Sequence, residues 1–347
     1  MKKRFTLVLT CLIIICLITA CAGMNSAIGG ETAKDDKINI VCTTFSQYDW
    51  TKEVIKGREE QIRLVYLFQD GADLHSFQPT ADDMIQVASA DLLIFVGGEN
   101  DGWLLDASKE ATNPNQVKLS MLEFLEDELK EEELVEGMEG YEEGGQVLEV
   151  CSAGDGDAHS HEHDEEYDEH VWLSLSNAER ITKEIASILS TLDPEGKDVY
   201  DSNAKRYCNE LEELKSGYQT MLADCELDTI LVGDRFPYLY LTEEFGIKYY
   251  AAFAGCSAES EASFETVTFL AGKLNELGID TVLILENSDG EIAKTIIRNS
   301  EKKNQEIAVL NSIQSVKADD VENGTTYLKI MEENRLVLGK ALKAKNI

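Results

Sequence analysis

Positive charge is scarce in this chain of 347 residues: 31 lysines and arginines stand against 66 aspartates and glutamates, a formal charge of −35. A nucleic-acid binder needs a basic face to neutralise phosphate, so that class is excluded, and an anionic lipid surface would repel the protein as well. Three familiar catalytic signatures are also missing. There is no H-E-x-x-H, no G-x-S-x-G elbow and no G-x-x-x-x-G-K-[ST] loop. No C-x-x-C occurs among the 8 cysteines, so neither a zinc knuckle nor a thioredoxin site is supported. Asp155 and Asp157 faintly suggest a calcium loop, but the glycine needed at its sixth position is absent. Histidine is rarer still, at positions 75, 159, 161, 163 and 170 only. Apolar residues, by contrast, make up 43% of the chain, enough to bury real cores. The length suits about two domains.

Lys2, Lys3 and Arg4 precede an apolar run from Phe5 to Thr19. That run is too short for a comfortable membrane span and has the size of a signal-peptide core. It ends in Ile18-Thr19-Ala20-Cys21, which resembles the bacterial lipobox, where the cysteine is lipidated and becomes the new N-terminus. Residues 1–20 are read as a lipoprotein signal peptide, Cys21 as the lipidation site and 21–37 as a flexible tether. The expected location is the extracytoplasmic face of the cell membrane, held there by the lipid. Cys42, Cys151, Cys208, Cys225 and Cys256 remain, an odd number whose pairing cannot be read from spacing. Free buried thiols are the simpler expectation.

From residue 38 onward short apolar runs alternate with helical stretches. Ile38 to Cys42, Ile62 to Phe68, Leu92 to Val96, Thr229 to Val232, Tyr249 to Phe253, Val282 to Glu286 and Ile307 to Leu310 read as buried strands. Helical segments include Trp50 to Lys56 and Asp82 to Ala90, the second opened by Thr80 with Asp83 three residues on, close to a capping box. Such alternation predicts α/β lobes with mostly parallel sheets. Glu123 to Glu143 is intensely acidic and is expected to be a solvated helix with a flanking loop. Asp193 to Asp224 carries Tyr200, Tyr207, Leu211, Leu214, Tyr218 and Leu222 at near-helical spacing, with Pro194 close to its start. The expected architecture is two Rossmann-like lobes joined by one long rigid helix. The N-terminal lobe would cover 38–192, including the acidic segment and a His-rich loop (151–169), the connector 193–224, and the C-terminal lobe 225–347.

Histidines 159, 161 and 163 alternate among carboxylates in a low-complexity stretch, a mobile arrangement suited to auxiliary Zn2+ capture. His75 and His170 differ because each is joined to regular structure. His75 lies just past a strand, and His170 precedes Val171-Trp172-Leu173 and a helix. Asp234 and Asn311 also follow expected strands, and the carboxyl ends of parallel strands are where such sheets place ligands.

These residues carry a resemblance. Gly71-Ala72-Asp73-Leu74-His75-Ser76-Phe77-Gln78-Pro79, with Ala90-Asp91-Leu92 and Trp103-Leu104 downstream, resembles the first-histidine motif of the zinc- and manganese-binding solute-binding lipoproteins of bacterial ABC importers. Asp168-Glu169-His170-Val171-Trp172-Leu173 resembles that family's second motif, and the His-rich loop is typical of its zinc (ZnuA-like) branch. The resemblance runs over roughly residues 38 to 340. It implies metal ligands at His75 and His170, a third at Asp234 where the family has His or Glu, and a fourth at Asn311 where it often has Asp. Glu286 is an alternative fourth ligand, and Glu261 a weaker one.

The function implied is capture of a divalent transition metal, Zn2+, between two lobes and its delivery to an ABC permease, with no catalysis. A connector helix would limit lobe closure. Asp234 leaves a manganese importer open as the alternative. A zinc hydrolase and a surface adhesin are the rival classes, the first lacking a recognisable general base. A monomer is the plain expectation.

Overall fold

The computed structural model describes residues 37–109, 111, 113–132, 134–141, 167–257 and 261–346. Cys21, Cys151, His159, His161 and His163 lie outside the described residues, as do the proposed signal peptide and nearly all of the tether. Among the described residues no helix is long and apolar enough to cross a membrane.

Four strands, β1 (Ile38–Cys42), β2 (Ile62–Tyr66), β3 (Leu92–Phe95) and β4 (Val117–Ser120), form an all-parallel sheet in the order β2-β1-β3-β4. A second sheet repeats the plan with β5 (Thr229–Phe236), β6 (Lys248–Ala254), β7 (Thr281–Ile284) and β8 (Glu306–Val309), in the order β6-β5-β7-β8. Central strands are apolar on both faces because helices cover both: Ile40, Val41 and Cys42 are fully buried, as are Leu231 and Val232. In each sheet the chain reverses direction of travel next to its first strand. The crevice at that point, beyond the carboxyl ends, is the natural ligand position.

Seven of the eight strands coincide with apolar runs of the sequence. The exception is β4, Val117-Lys118-Leu119-Ser120, a short edge strand whose polar alternation carries little signal. β5 runs past its expected end at Val232 to Phe236, through a bulge between Val232 and Arg235. Asp234 therefore lies inside a strand and not beyond one. Thr80 and Asp83 do form a reciprocal capping box on the helix Ala81–Ser89, a feature worth about 1 kcal/mol.

The acidic segment departs from expectation. Among its described residues only Met121–Phe124 is α-helical, followed by a single 3-10 turn at Glu126–Glu128. Crowded like charges disfavour a longer helix, and the chain instead turns at Gly137 and Gly140 with positive φ. Its carboxylates meet backbone donors of the second lobe. Glu139 accepts from Ser263 N (2.8 Å) and Thr266 Oγ1 (2.9 Å) at the start of the helix Phe264–Leu277, and Glu132 accepts from Cys256 N (2.7 Å). Glu132 and Glu139 are thus engaged, while Glu123, Glu126, Asp127, Glu128 and Glu131 are exposed as expected.

The long helix spans Lys197–Ala223 after a 3-10 turn at Pro194–Gly196. It buries Tyr200, Tyr207, Leu211 and Tyr218 along one stripe, each burial stabilising by roughly 1.5–3 kcal/mol. One apolar cluster runs from Val41 and Ile94 of the first sheet through Tyr207 to Val232 and Leu283 of the second. The final helix, Tyr327–Ala341, returns to the first lobe, where Tyr327 meets Trp50 edge to face at 5.1 Å. Cys42, Cys208, Cys225 and Cys256 are free thiols, as expected for the cysteines described.

Candidate metal centre

The loop after β2 turns at Gly71 (φ +75°), where a β-carbon would come within 2.9 Å of Ser315 O. It then enters a 3-10 turn, Leu74–Ser76, whose N-cap Asp73 accepts from His75 N at 3.0 Å. Phe77 holds the turn from behind, 4.1 Å from the Phe68 ring and 5.7 Å from Trp103 between centroids. His75 is thereby delivered to the mouth of the crevice, half-buried. His170 arrives from the opposite side as the residue before the 3-10 turn Val171–Leu173, and is fully buried. Its Nδ1 and backbone N both reach Asp168 Oδ1, at 3.1 and 2.8 Å.

These two turns place His75 Nε2 and His170 Nε2 3.3 Å apart. Two nitrogens bound to one tetrahedral Zn2+ at about 2.0–2.1 Å would lie about 3.3–3.4 Å apart, so the pair has the spacing of two corners of such a site. A third donor was not foreseen from the sequence. Cys256, two residues beyond β6, brings its sulfur to the same place: the donor atoms of His75, His170 and Cys256 all lie within 4.8 Å of one another. The approach is possible because residue 255 is glycine. A β-carbon there would meet Phe236 O at 2.8 Å and the His170 ring at 3.3 Å.

The surroundings set the protonation states. Burial, then the neighbouring His170, push His75 down to about 4, so its ring is neutral at pH 7. Burial alone would lower His170 too, but the Asp168 carboxylate outweighs it and holds this ring above its ordinary value. Burial and the nearby Glu132 push the Cys256 thiol up. Asp73 is opposed by burial, yet the Arg235 guanidinium, 2.8 Å away, holds it below the usual carboxylate range. Asn100 bridges His75 Nδ1 (3.0 Å) to the Glu169 carboxylate (3.3 Å). Each ring has a partner on Nδ1, His75 accepting from Asn100 Nδ2 and His170 donating to Asp168, while the two Nε2 atoms face each other.

The remaining sequence candidates sit differently. Asp234 lines a cleft of about 630 Å³ together with His75, Asp73, Arg235 and Ser257. Its carboxylate accepts from Arg235 N at 2.9 Å, and it is not among the three clustered donors. Asn311 uses Oδ1 to accept from Ile313 N (2.7 Å) and exchanges two 2.8 Å bonds with Asn334. Glu286 accepts from Ser312 N (2.8 Å) and Ser312 Oγ (2.9 Å). Both therefore brace the loop after β8, in which Ile313 is forced to φ 66°, an outlier for a β-branched residue. The strained loop delivers Gln314, whose amide satisfies both neighbours with nitrogen toward Asp73 (2.8 Å) and oxygen toward His170 Nε2 (2.5 Å). Glu261 is exposed and lies outside the centre.

The chain is 25% identical over 330 residues to the high-affinity zinc uptake system protein ZnuA of Bacillus subtilis, covering 95% of each. It is 27% identical to the zinc-binding lipoprotein AdcA of Streptococcus pneumoniae over 94% of this chain, but spans only 59% of that longer relative. The crystal structure of the Zn(II)-bound ZnuA-like domain of that AdcA superposes with a TM-score of 0.65 at 22% identity, covering 88% of this chain and 99% of the domain; the fold is the same. The profile of the family described as zinc-uptake complex component A, periplasmic (ZnuA), matches residues 40–341, and the chain belongs to that family.

Proposed function

We propose that this protein captures Zn2+ outside the cytoplasm between its two lobes and delivers it to an ABC permease in the membrane. The observation that carries the reading is the pair of imidazole Nε2 atoms 3.3 Å apart, each oriented through Nδ1 by Asn100 or Asp168. Asp234, which lines the same cleft as His75, is the carboxylate that would guide the ion in or join its coordination as it settles. No step of bond-making is assigned to the centre, and the reading is of a binding protein and not an enzyme. Residues 1–20 would be removed, Cys21 would carry the lipid anchor, the chain would act as a monomer, and histidines 159, 161 and 163 would gather zinc ahead of the main site. The lobes are assigned to 38–192 and 225–347, joined by 193–224.

The test is metal binding to the chain beginning at residue 22, by native mass spectrometry and competition titration. Wild type should hold one Zn2+ tightly, the double variant His75→Ala/His170→Ala should lose it, and deletion of 155–166 should keep it. Zinc retained by the double variant would overturn the site, and a preference for Mn2+ would change the cargo.

A further inference from the structure

Resting on the reading of this centre as the cargo site, we infer that the Cys256 thiolate is the third protein donor to the captured ion and that it biases the centre toward Zn2+ over Mn2+. The two histidines alone do not close a site; the Asn311 amide oxygen is taken up by Ile313 N, and Asp234 is not among the clustered donors. Cys256 is the side chain whose donor atom joins both imidazoles within 4.8 Å. A sulfur at about 2.3 Å and a nitrogen at about 2.0–2.1 Å on one tetrahedral Zn2+ would lie about 3.5 Å apart, a modest inward adjustment from that limit.

Three local features hold the sulfur there. Gly255 lets the backbone run against the His170 ring, leaving no room for a side chain before Cys256. The Glu132 carboxylate, reaching over from the acidic segment, fixes the Cys256 N–H at 2.7 Å. Asp168 orients His170 through Nδ1, so ring and sulfur are each held by a carboxylate of their own. On binding, the thiol proton leaves to solvent and the sulfur lone pair takes its place on the metal. A His2Cys set with one open position suits Zn2+, whereas Mn2+ favours oxygen donors.

The experiment uses the full chain in detergent, titrated with Co2+ as a spectroscopic stand-in and with Zn2+ and Mn2+ in competition. Wild type should show a sulfur-to-cobalt charge-transfer band in the near ultraviolet. Cys256→Ser should lose the band while still binding cobalt through the histidines. Its zinc affinity should fall by more than the roughly 10–100-fold typical of losing an outer partner, with a smaller loss for Mn2+. A second measurement needs no variant: bound Zn2+ should protect Cys256 from alkylation in wild type while leaving Cys225 reactive, read by peptide mass spectrometry. No charge-transfer band in a wild type that binds cobalt, a band surviving Cys256→Ser, or equal alkylation of Cys256 with and without zinc would each overturn the assignment. If His75→Ala binds zinc as tightly as wild type, the cargo-site reading itself fails. That outcome is distinct from loss of the sulfur signature alone.

Discussion

At the scale of single residues, the centre is decided by what stands behind each donor. Asp168 is almost fully buried and holds His170 through both Nδ1 and the backbone N. Asp168→Asn keeps the shape but removes the charge that makes the imidazole a strong donor. Zinc affinity should drop about 10–100-fold with little change in the circular dichroism spectrum; an unchanged affinity in a competition titration would show that the carboxylate is only structural. His75 and His170 were legible in the sequence because each stands in a distinctive local string next to regular structure. Cys256 and Gln314 were not. A lone cysteine has no spacing signature, and nothing local in Gly255-Cys256-Ser257 says that β6 ends opposite a histidine 86 positions earlier. The one available hint was the place of Cys256, just beyond an expected strand end. Asn311 and Glu286 were attractive for the same positional reason, but short polar side chains at strand ends also brace loops, and here both do.

At the scale of elements, apolar runs located seven of eight strands because parallel strands covered on both faces must be continuously apolar. In the acidic segment the exposed acids and the loop were legible, but not the short helix or the engagement of Glu132 and Glu139, since charge runs carry no record of which backbone donors they will meet. A related buried acid offers a test. Asp49, on the helix Phe45–Val54, is 1% exposed and accepts from Tyr327 N (2.9 Å) at the start of the last helix. Burial pushes its carboxyl up to about 6, although the Tyr327 N–H opposes the shift. Its folded value lies above the unfolded one, near 3.9, so its contribution to stability is complete below about pH 4 and lost as pH rises through 6. The loss at neutral pH is on the order of 3 kcal/mol before the favourable field of the helix N-terminus is counted. Asp49→Asn retains an acceptor for Tyr327 N and removes the charge. The variant should therefore be more stable than wild type at pH 7, by about 1–2 kcal/mol, and show a flatter dependence between pH 4 and 6. Urea melts at both ends of that range would check this, and a destabilised variant at pH 7 would mean that the helix-terminal charge outweighs the burial cost.

At the scale of the whole molecule, the two sheets are tied by more than the connector. Tyr66 Oη donates to Val316 O (2.8 Å), Trp172 Nε1 to Ser312 O (2.9 Å) and Tyr327 Oη to Trp172 O (2.7 Å), all buried, and Arg235 pairs with Asp73 across the cleft. Swinging the lobes apart would break these bonds, each worth about 1 kcal/mol net and more if left unsatisfied, and would split the shared apolar cluster. Wide hinge closure is therefore the costly route, and rearrangement of the donor-bearing loops is the cheap one. Hydrogen exchange on the chain with and without Zn2+ separates them. Protection should rise in the loops around His75, His170, Cys256 and Gln314, which supply or block the donors. Amides in β1, in β5 up to Val232 and in the helix Lys197–Ala223 should keep the same rates, because their hydrogen bonds are unaffected by where the loops settle. Zinc-dependent protection spreading along that helix would instead mean that the lobes move as bodies, and that the buried ties between them exchange partners during capture.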